Sequence, residues 1–328
     1  MSVICFDLEG PLATQDNAYE LMKLFPDGGR IFEVISRYDD LLTISARFDY
    51  EPGDTLALIA PFLVCHGIKE HDISALARKA TLTPGAISLI SRLSAQGWKT
   101  FCISTSYEQY AKRVAHRLGI FSQNVASTSF PLDKFSKELS REDFRLLDTL
   151  EKDILNKHPL DDNWIKKRLD RFYWKELPST GLGRLIQQVQ PVGGQRKVEA
   201  RRRFAEAQKQ PLSNWVAVGD SITDFKMLQA VDQAGGLAVA FNANEYALPY
   251  ATIGLASTHL DDLKPVLEAW KKGKRAVMEK LVREKEKAGG KGDRDYFQWL
   301  AGSKSTAASL DVHKRIRRLV REEAAKLG

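Results

Sequence analysis

The stretch Val3-Ile-Cys-Phe-Asp-Leu-Glu-Gly10 decides the fold class. Its four apolar residues predict a short buried strand, and Asp7-Leu-Glu-Gly10 predicts a loop that begins where this strand ends. Ligands of parallel α/β sheets bind beyond the carboxyl ends of the strands. Asp7 and Glu9 are therefore the first candidates for functional residues.

Further apolar runs predict a whole sheet of such strands. They cover residues 98–103, 121–126, 214–218, 237–241 and 252–255, and helical segments lie between them. Strands that alternate with helices predict an α/β fold in which a Rossmann-like parallel sheet is flanked by helices.

The charge of the chain is concentrated near one end. The 328 residues include 49 Lys and Arg against 42 Asp and Glu, a net charge of +7. Residues 264–328 hold 18 of these cations and 9 of the anions, so the other 263 residues are close to neutral. A nucleic-acid-binding domain needs a basic face on its folded body, so the distribution counts against that partner. It leaves two interpretations of the extension, solvated helix faces or a docking site for a protein partner.

The cysteine pattern and the hydropathy indicate a cytoplasmic protein. Three scattered cysteines, Cys5, Cys65 and Cys102, predict reduced core thiols and neither a disulfide framework nor a zinc site. The N-terminus shows no targeting segment, and the longest apolar run, residues 56–65, is too short to span a bilayer.

Polar residues follow three of the predicted strands and predict one shared site. Asp7 and Glu9 follow the first strand, Ser104-Thr105-Ser106 the second, and Gly219-Asp-Ser-Ile-Thr-Asp224 the fourth, while Lys197 lies one helix upstream of the fourth. Carboxylates crowded in this way repel one another, and Mg²⁺ is the oxygen-loving cation that compensates them most readily. A lysine and a serine beside such a metal favour binding of a phosphoryl group. The pattern predicts Mg²⁺-dependent phosphoryl transfer.

At this point the sequence resembles the haloacid-dehalogenase-like (HAD) superfamily of phosphoryl-transfer enzymes. The resemblance is carried by four motifs in the family's order, which are Phe6-Asp-Leu-Glu-Gly10, Cys102-Ile-Ser104, Lys197 and Val216-Ala-Val-Gly-Asp-Ser-Ile-Thr-Asp224. Glu9 is one departure from the family pattern, because most relatives have Asp at this position. Some members, similar to phosphoserine phosphatase and homoserine phosphotransferase, also carry Asp-Leu-Glu-Gly. Pro11, where Thr or Val is commoner, is a second departure.

The resemblance implies a role for each matching residue. Asp7 would be the nucleophile that forms an aspartyl-phosphate and a Mg²⁺ ligand, and Glu9 would be the general acid and base, with its carbonyl on the metal. The phosphoryl oxygens would be held by Ser104, Thr105 and Lys197. Further metal ligands would be Asp220 and Asp224. The implied activity is that of a phosphoric monoester hydrolase or phosphotransferase acting on a small phosphorylated metabolite.

Two further residues are candidates for substrate specificity, and each has a structural alternative. Asp16 lies where serine-phosphate phosphatases bind the substrate amine, but it also precedes a predicted helix as an N-cap. Asn242 follows the fifth strand and either lines the pocket or forms a turn. Arg37 and Arg47 are candidates for binding a substrate carboxylate, with a surface charge as the alternative for each.

The resemblance also predicts the domain organisation. A HAD-like core would consist of residues 1–12, 81–128 and 190–262, with a helical cap at 13–80. A helical insertion at 129–189 would be a second cap, and its aromatic residues would roof the cleft or form a core of its own. Residues 263–328 would be a basic helical extension.

A narrower resemblance covers residues 1–65. The stretches Asp16-Asn-Ala-Tyr-Glu20 and Ser36-Arg-Tyr-Asp-Asp40 are similar to HAD-like proteins named energy-converting hydrogenase A subunit R. That name rests on association with a hydrogenase and defines no reaction. It adds an alternative to catalysis, a non-catalytic regulatory subunit that docks a partner through the insertion or the basic extension.

Overall fold

A seven-stranded sheet forms the centre of the chain in a computed structural model. The structure describes residues 2–45, 47–48, 50–135, 137, 139–157, 161–302 and 307–322. The strands are β1 (Val3–Phe6), β2 (Lys99–Tyr107), β3 (Val125–Thr128), β4 (Trp215–Gly219), β5 (Leu237–Phe241), β6 (Ile253–Ala256) and β7 (Tyr296–Trp299). Their order in the sheet is β3-β2-β1-β4-β5-β6-β7. The first six pair in parallel, which confirms the predicted α/β class.

The seventh strand was not predicted from the sequence. It pairs antiparallel with β6, so that Tyr296 lies opposite Ala256 and Trp299 opposite Ile253. A run of four residues in a polar, basic region gives little periodicity to detect. The sequence predicts only helices in the extension, separated by a Gly-rich break at 288–292, but this strand joins it to the sheet.

Fourteen helices surround the sheet in the described residues. The predicted cap contains α1 (Asn17–Met22), α2 (Gly28–Ile44), α3 (Thr55–Cys65) and α4 (Glu70–Lys79), and the core contains α5 (Ala86–Ala95), α6 (Glu108–Arg117), α11 (Gly194–Gln208) and α12 (Phe225–Gln233). The insertion contains α7 (Leu132–Phe135), α8 (Arg141–Asn156), α9 (Asp162–Arg171) and α10 (Gly181–Gln188), and the extension contains α13 (Lys264–Ala288) and α14 (Ala307–Arg321). The sequence predicts a last helix near residues 310–327, and residues 323–327 of it lie outside the described part of the chain.

The central strands are buried on both faces of the sheet. In β1, Ile4 and Phe6 belong to one apolar cluster, and Val3 and Cys5 belong to the cluster on the opposite face. Alternation of side chains along the strand explains this division, and burial on both faces explains why the sequence shows a continuous apolar run. The cysteines are free thiols. No helix among the described residues is both long and apolar enough to cross a membrane.

The insertion packs against the cap through aromatic residues, of which Tyr38 and Tyr173 are buried and Trp174 is exposed. The hydroxyl group of Tyr173 donates to the carbonyl oxygen of Leu58 in α3 at 2.9 Å, and that of Tyr38 in α2 donates to Asp170 at 2.6 Å. The indole nitrogen of Trp174 donates to the Tyr38 hydroxyl at 2.7 Å. These contacts give the cap and the insertion a shared core.

Candidate active site

The candidate residues meet at the carboxyl edge of the three central strands. Asp7 follows β1, and its backbone nitrogen donates to the carbonyl oxygen of Val218 in β4 at 2.8 Å. Asp220 follows β4 directly. Residues 104–106 lie within the last part of β2, because this strand continues beyond the predicted end at residue 103. The parallel arrangement brings together residues that are about 100 positions apart in sequence.

Three buried aspartates form a compact cluster. One carboxylate oxygen from each of Asp7, Asp220 and Asp224 lies within 4.8 Å of the others. The ammonium group of Lys197, in α11, lies 2.9 Å from Asp7 Oδ1 and 2.7 Å from Asp224 Oδ1. Lys197 therefore neutralises part of the charge that these carboxylates place in the protein interior.

The pKa values of Asp7 and Lys197 reflect this burial and pairing. Burial and the neighbouring Asp224 carboxylate raise the pKa of Asp7 well above its ordinary value, although Lys197 opposes the shift. Burial alone would lower the pKa of Lys197, but Asp224 and Asp7 more than reverse this effect, and the net shift is upward. The lysine is accordingly a permanent cation in the cluster.

The donor set of the cluster suits a hard divalent cation. Asp220 Oδ1 is buried and has no hydrogen-bond partner in the described part of the chain, although an unpaired carboxylate oxygen in the interior is costly. A Mg²⁺ ion held by carboxylate oxygens would satisfy this atom. The residues present therefore fit the metal that the sequence predicts, with Asp7, Asp220 and Asp224 as the side-chain ligands.

Glu9 is held at the side of the cluster by two hydrogen bonds. Its Oε1 accepts from the Ser106 hydroxyl at 2.6 Å and from the backbone nitrogen of Asn17 at 2.8 Å. Burial and the nearby Asp16 carboxylate raise the pKa of Glu9 to about 7, in spite of these bonds. A carboxyl group with this pKa can both donate and accept a proton near neutral pH.

The predicted phosphate-binding hydroxyls differ in accessibility. Ser104 is fully buried, and its Oγ accepts from the backbone nitrogen of Ser106 at 3.0 Å. Thr105 lines the cavity, but its hydroxyl donates to the carbonyl oxygen of Val192 at 3.2 Å. Ser106, the third hydroxyl of the predicted cluster and one to which the resemblance gives no role, also lines the cavity, and its hydroxyl bonds Glu9.

The two candidate specificity residues occupy different environments. Asp16 both lines the cavity and caps α1, where it accepts from the backbone nitrogen of Tyr19 at 2.8 Å. Asn242 has a left-handed backbone with a φ of 49°, and its side-chain amide both donates to and accepts from the backbone of Ser257. These bonds hold a turn at the end of β5, in keeping with the structural alternative for Asn242.

The two arginines proposed for a substrate carboxylate are engaged at the surface. Arg37 binds Asp162 through two hydrogen bonds of 2.7 and 2.9 Å. Arg47 stacks on the Trp174 ring at 4.0 Å from its centre. Neither arginine lines the cavity that contains Asp7 and Glu9.

The cavity instead receives two arginines from the C-terminal extension. Arg317 and Arg321, in α14, are buried and line the cavity. Arg317 NH1 forms an ion pair with Asp220 Oδ2, and Arg321 NH1 lies 2.9 Å from the same oxygen. Sequence reasoning assigned this extension to docking or solubility and missed its part in the site.

A signal for this arrangement was present in the sequence. The residues Ser309, His313, Arg317 and Arg321 recur every four positions, and all are buried in α14. A polar stripe at helical spacing predicts a face directed at other polar groups. The stripe is hard to recognise in the sequence, because most of the basic residues on the same helix are exposed and give the region its basic composition.

The cavity itself is small, and both apolar and charged side chains line it. Its volume is about 90 Å³, which is enough for several water-sized groups. Carboxylates on its wall include Asp7, Glu9, Asp16 and Asp39. Any ligand that fills it is correspondingly compact.

Comparison with known proteins identifies structural relatives. No protein-family model matches the chain, and no curated protein sequence matches it. The structure of gene product AF1437 from Archaeoglobus fulgidus is similar over 100% of this chain and 99% of that chain, with a TM-score of 0.83 and 29% sequence identity. The high coverage includes the C-terminal extension.

Structures of phosphoserine phosphatase are more distant neighbours. One in the apo form and one described as a phospho-aspartyl intermediate analogue each have a TM-score of 0.52, with 15% and 16% identity. Each covers 80% of this chain, and 98% and 97% of the respective phosphatase chains are matched. The narrower resemblance to hydrogenase-associated proteins stays a prediction. Together, the sheet topology and these neighbours show that the chain has the Rossmann-like α/β fold of the HAD hydrolases.

Proposed function

We propose that this protein is a Mg²⁺-dependent phosphatase or phosphotransferase that acts on a small phosphorylated metabolite through Asp7. The observation that carries the proposal is the placement of Asp7 on the wall of a cavity, 2.9 Å from Lys197 and within 4.8 Å of carboxylate oxygens of Asp220 and Asp224. This arrangement combines a nucleophile, a fixed cation and a metal site, which are the parts that phosphoryl transfer requires.

Asp7 is arranged to attack phosphorus with one of its oxygens. Its Oδ1 accepts from the backbone nitrogen of Leu8 at 2.7 Å and binds Lys197, which leaves Oδ2 to face a substrate. Attack by Oδ2 would form an aspartyl-phosphate as the bond between phosphorus and the ester oxygen breaks. Water or an acceptor alcohol would then attack the same phosphorus and restore the Asp7 carboxylate.

Glu9 is suited to move the protons in both steps. With a pKa raised to about 7, a substantial fraction of Glu9 is protonated at neutral pH and can donate to the leaving oxygen. The resulting carboxylate can then take a proton from the attacking water. The Ser106 hydroxyl and the Asn17 nitrogen fix the orientation of Glu9 through both steps.

The remaining residues would bind and neutralise the phosphoryl group. Lys197 supplies a permanent positive charge, and Ser104 supplies a hydroxyl at the same sheet edge. When bound by Asp7, Asp220 and Asp224, Mg²⁺ would polarise the phosphoryl oxygens and offset their charge. The small cavity restricts the substrate to a compact metabolite, and Asp16 on its wall would favour a substrate with an amino group.

The proposal is tested by replacing the nucleophile. Asp7→Asn should remove phosphate release from p-nitrophenyl phosphate and from any natural ester found in a screen with and without Mg²⁺. Asp148→Asn is the matched control, because Asp148 is exposed and lies outside the cavity. Full turnover by the Asp7 variant, with its fold intact, would contradict the proposal.

A further inference from the structure

The basic helix α14 is built into the candidate active site by several independent contacts. The backbone nitrogen of Ala243 donates to His313 Nδ1 at 3.0 Å, which ties the helix to the end of β5. The ammonium group of Lys314 lies 3.0 Å from Glu245, and Arg315 pairs with Asp293. These contacts fix the position of the helix, so the side chains that it directs inward belong to the site.

Arg321 is oriented so that one nitrogen remains available to a ligand. Its Nε donates to the carbonyl oxygen of Thr14 at 3.2 Å, and its NH1 binds Asp220 Oδ2 at 2.9 Å. Its NH2 makes no hydrogen bond to any of the described residues. Arg321 also lines the cavity that contains Asp7 and Glu9. A guanidinium group held on two sides presents its third nitrogen in a fixed direction.

Arg321 offsets negative charge in the candidate site. The carboxyl groups around it are those of Asp220, Asp16, Glu9 and Asp7. A Mg²⁺ ion and a dianionic phosphoryl group together would add no net charge to this buried set. Without Arg321, the loaded site would hold an uncompensated negative charge in the protein interior, which is costly.

We propose that Arg321 is a substrate-binding residue that donates from NH2 to an oxygen of the phosphoryl group at Asp7. The distance is compatible, because Arg321 binds Asp220 and the ligand oxygens of Asp220 and Asp7 lie within 4.8 Å of each other. The inference rests on the proposed function and deepens it: the C-terminal extension supplies part of the phosphate site. Guanidinium groups suit this task because they bind phosphate through directed, charge-assisted bonds.

The test measures binding of inorganic phosphate and of Mg²⁺ separately by isothermal titration calorimetry on the full chain. Arg321→Gln should weaken phosphate binding in the presence of Mg²⁺ at least tenfold, while Mg²⁺ binding in the absence of phosphate is not weakened. Arg318→Gln is the matched control on the same helix, because Arg318 is exposed and carries the same charge. It should bind both as the wild type does.

Two results would overturn the inference. One is phosphate binding by Arg321→Gln that equals the control, and the other is a parallel loss of Mg²⁺ and phosphate binding, which would show that Arg321 only positions Asp220. If Arg321→Gln fails to fold, Arg321→Lys provides the test, because it keeps the charge but loses the directed bond. A phosphate affinity of Arg321→Lys equal to that of the wild type would overturn the inference.

The wild-type measurements separate this inference from the proposed function. A wild-type protein that binds no phosphate and hydrolyses no p-nitrophenyl phosphate overturns both proposals. A wild type that does both, beside an Arg321→Gln variant with unchanged phosphate affinity, overturns only the role of Arg321.

Discussion

Replacing Lys197 by Met should destabilise the protein strongly, because it leaves two buried carboxylates without their cation. The Lys197 ammonium group is fully buried and lies 2.9 Å from Asp7 and 2.7 Å from Asp224. With an effective dielectric constant of about 20, each attraction amounts to about 6 kcal/mol, much of which offsets the cost of burying the charges. Removing one partner of such a pair costs about 3–5 kcal/mol. This is a large part of the roughly 5–15 kcal/mol that stabilises a typical protein.

Urea denaturation of Lys197→Met and of the wild type, with and without Mg²⁺, measures this loss. If Mg²⁺ binds as proposed, a saturating concentration should reduce the difference in the free energy of unfolding, because the ion would bind the same carboxylates in the folded state only. Lys226→Met is the matched control: Lys226 pairs with Glu51 at 2.8 Å but is about one-third exposed, so its pair contributes at most about 1 kcal/mol. Equal losses for the two variants would refute the reasoning.

Two further predictions concern residues of the same cavity. Burial raises the pKa of Asp39 to about 7, so the folded state holds a proton that the unfolded state releases near pH 4. The stability of the wild type should therefore fall between pH 5 and pH 8 by up to about 3 kcal/mol. Thermal unfolding of Asp39→Asn should show a weaker dependence of stability on pH. Gly10→Ala should weaken Mg²⁺ binding at least tenfold in calorimetry, because the added methyl group would overlap the Asp220 carboxylate, whereas Gly97→Ala, also at a positive φ but facing open space, should not. Parallel pH profiles, or equal Mg²⁺ binding by the two alanine variants, would contradict these predictions.

The sequence predicted the central strands because their burial leaves a direct signature. Predicted and observed bounds coincide for Val3–Phe6 and Leu237–Phe241, where apolar side chains fill both faces of the sheet. Asp7 and Asp220 then follow from topology, since parallel strands end at one edge. Their proximity also requires that β1 and β4 are neighbours in the sheet, which the structure shows.

The contribution of α14 could not be predicted in the same way. The elements α13 and the antiparallel β7 lie between β6 and this helix. The periodicity of the sequence does not predict where the chain returns to the sheet. The docking depends on particular contacts, such as the bond between Ala243 and His313, which act over about 70 residues of chain. Tertiary packing of this kind appears in a structure but not in local sequence patterns.

The position of Arg317 and Arg321 changes what the net charge of the protein means. The excess of cations in residues 264–328 first suggested a surface property, remote from the chemistry. Two of these cations are buried against Asp220, where they compensate a carboxylate that sequence reasoning left to a metal alone. If Mg²⁺ binds as proposed, it would share one carboxylate with the two guanidinium groups: the arginines bind Oδ2, and Oδ1 would be left for the metal. The proposed catalytic centre would then depend on the docking of the C-terminal helix as well as on the sheet.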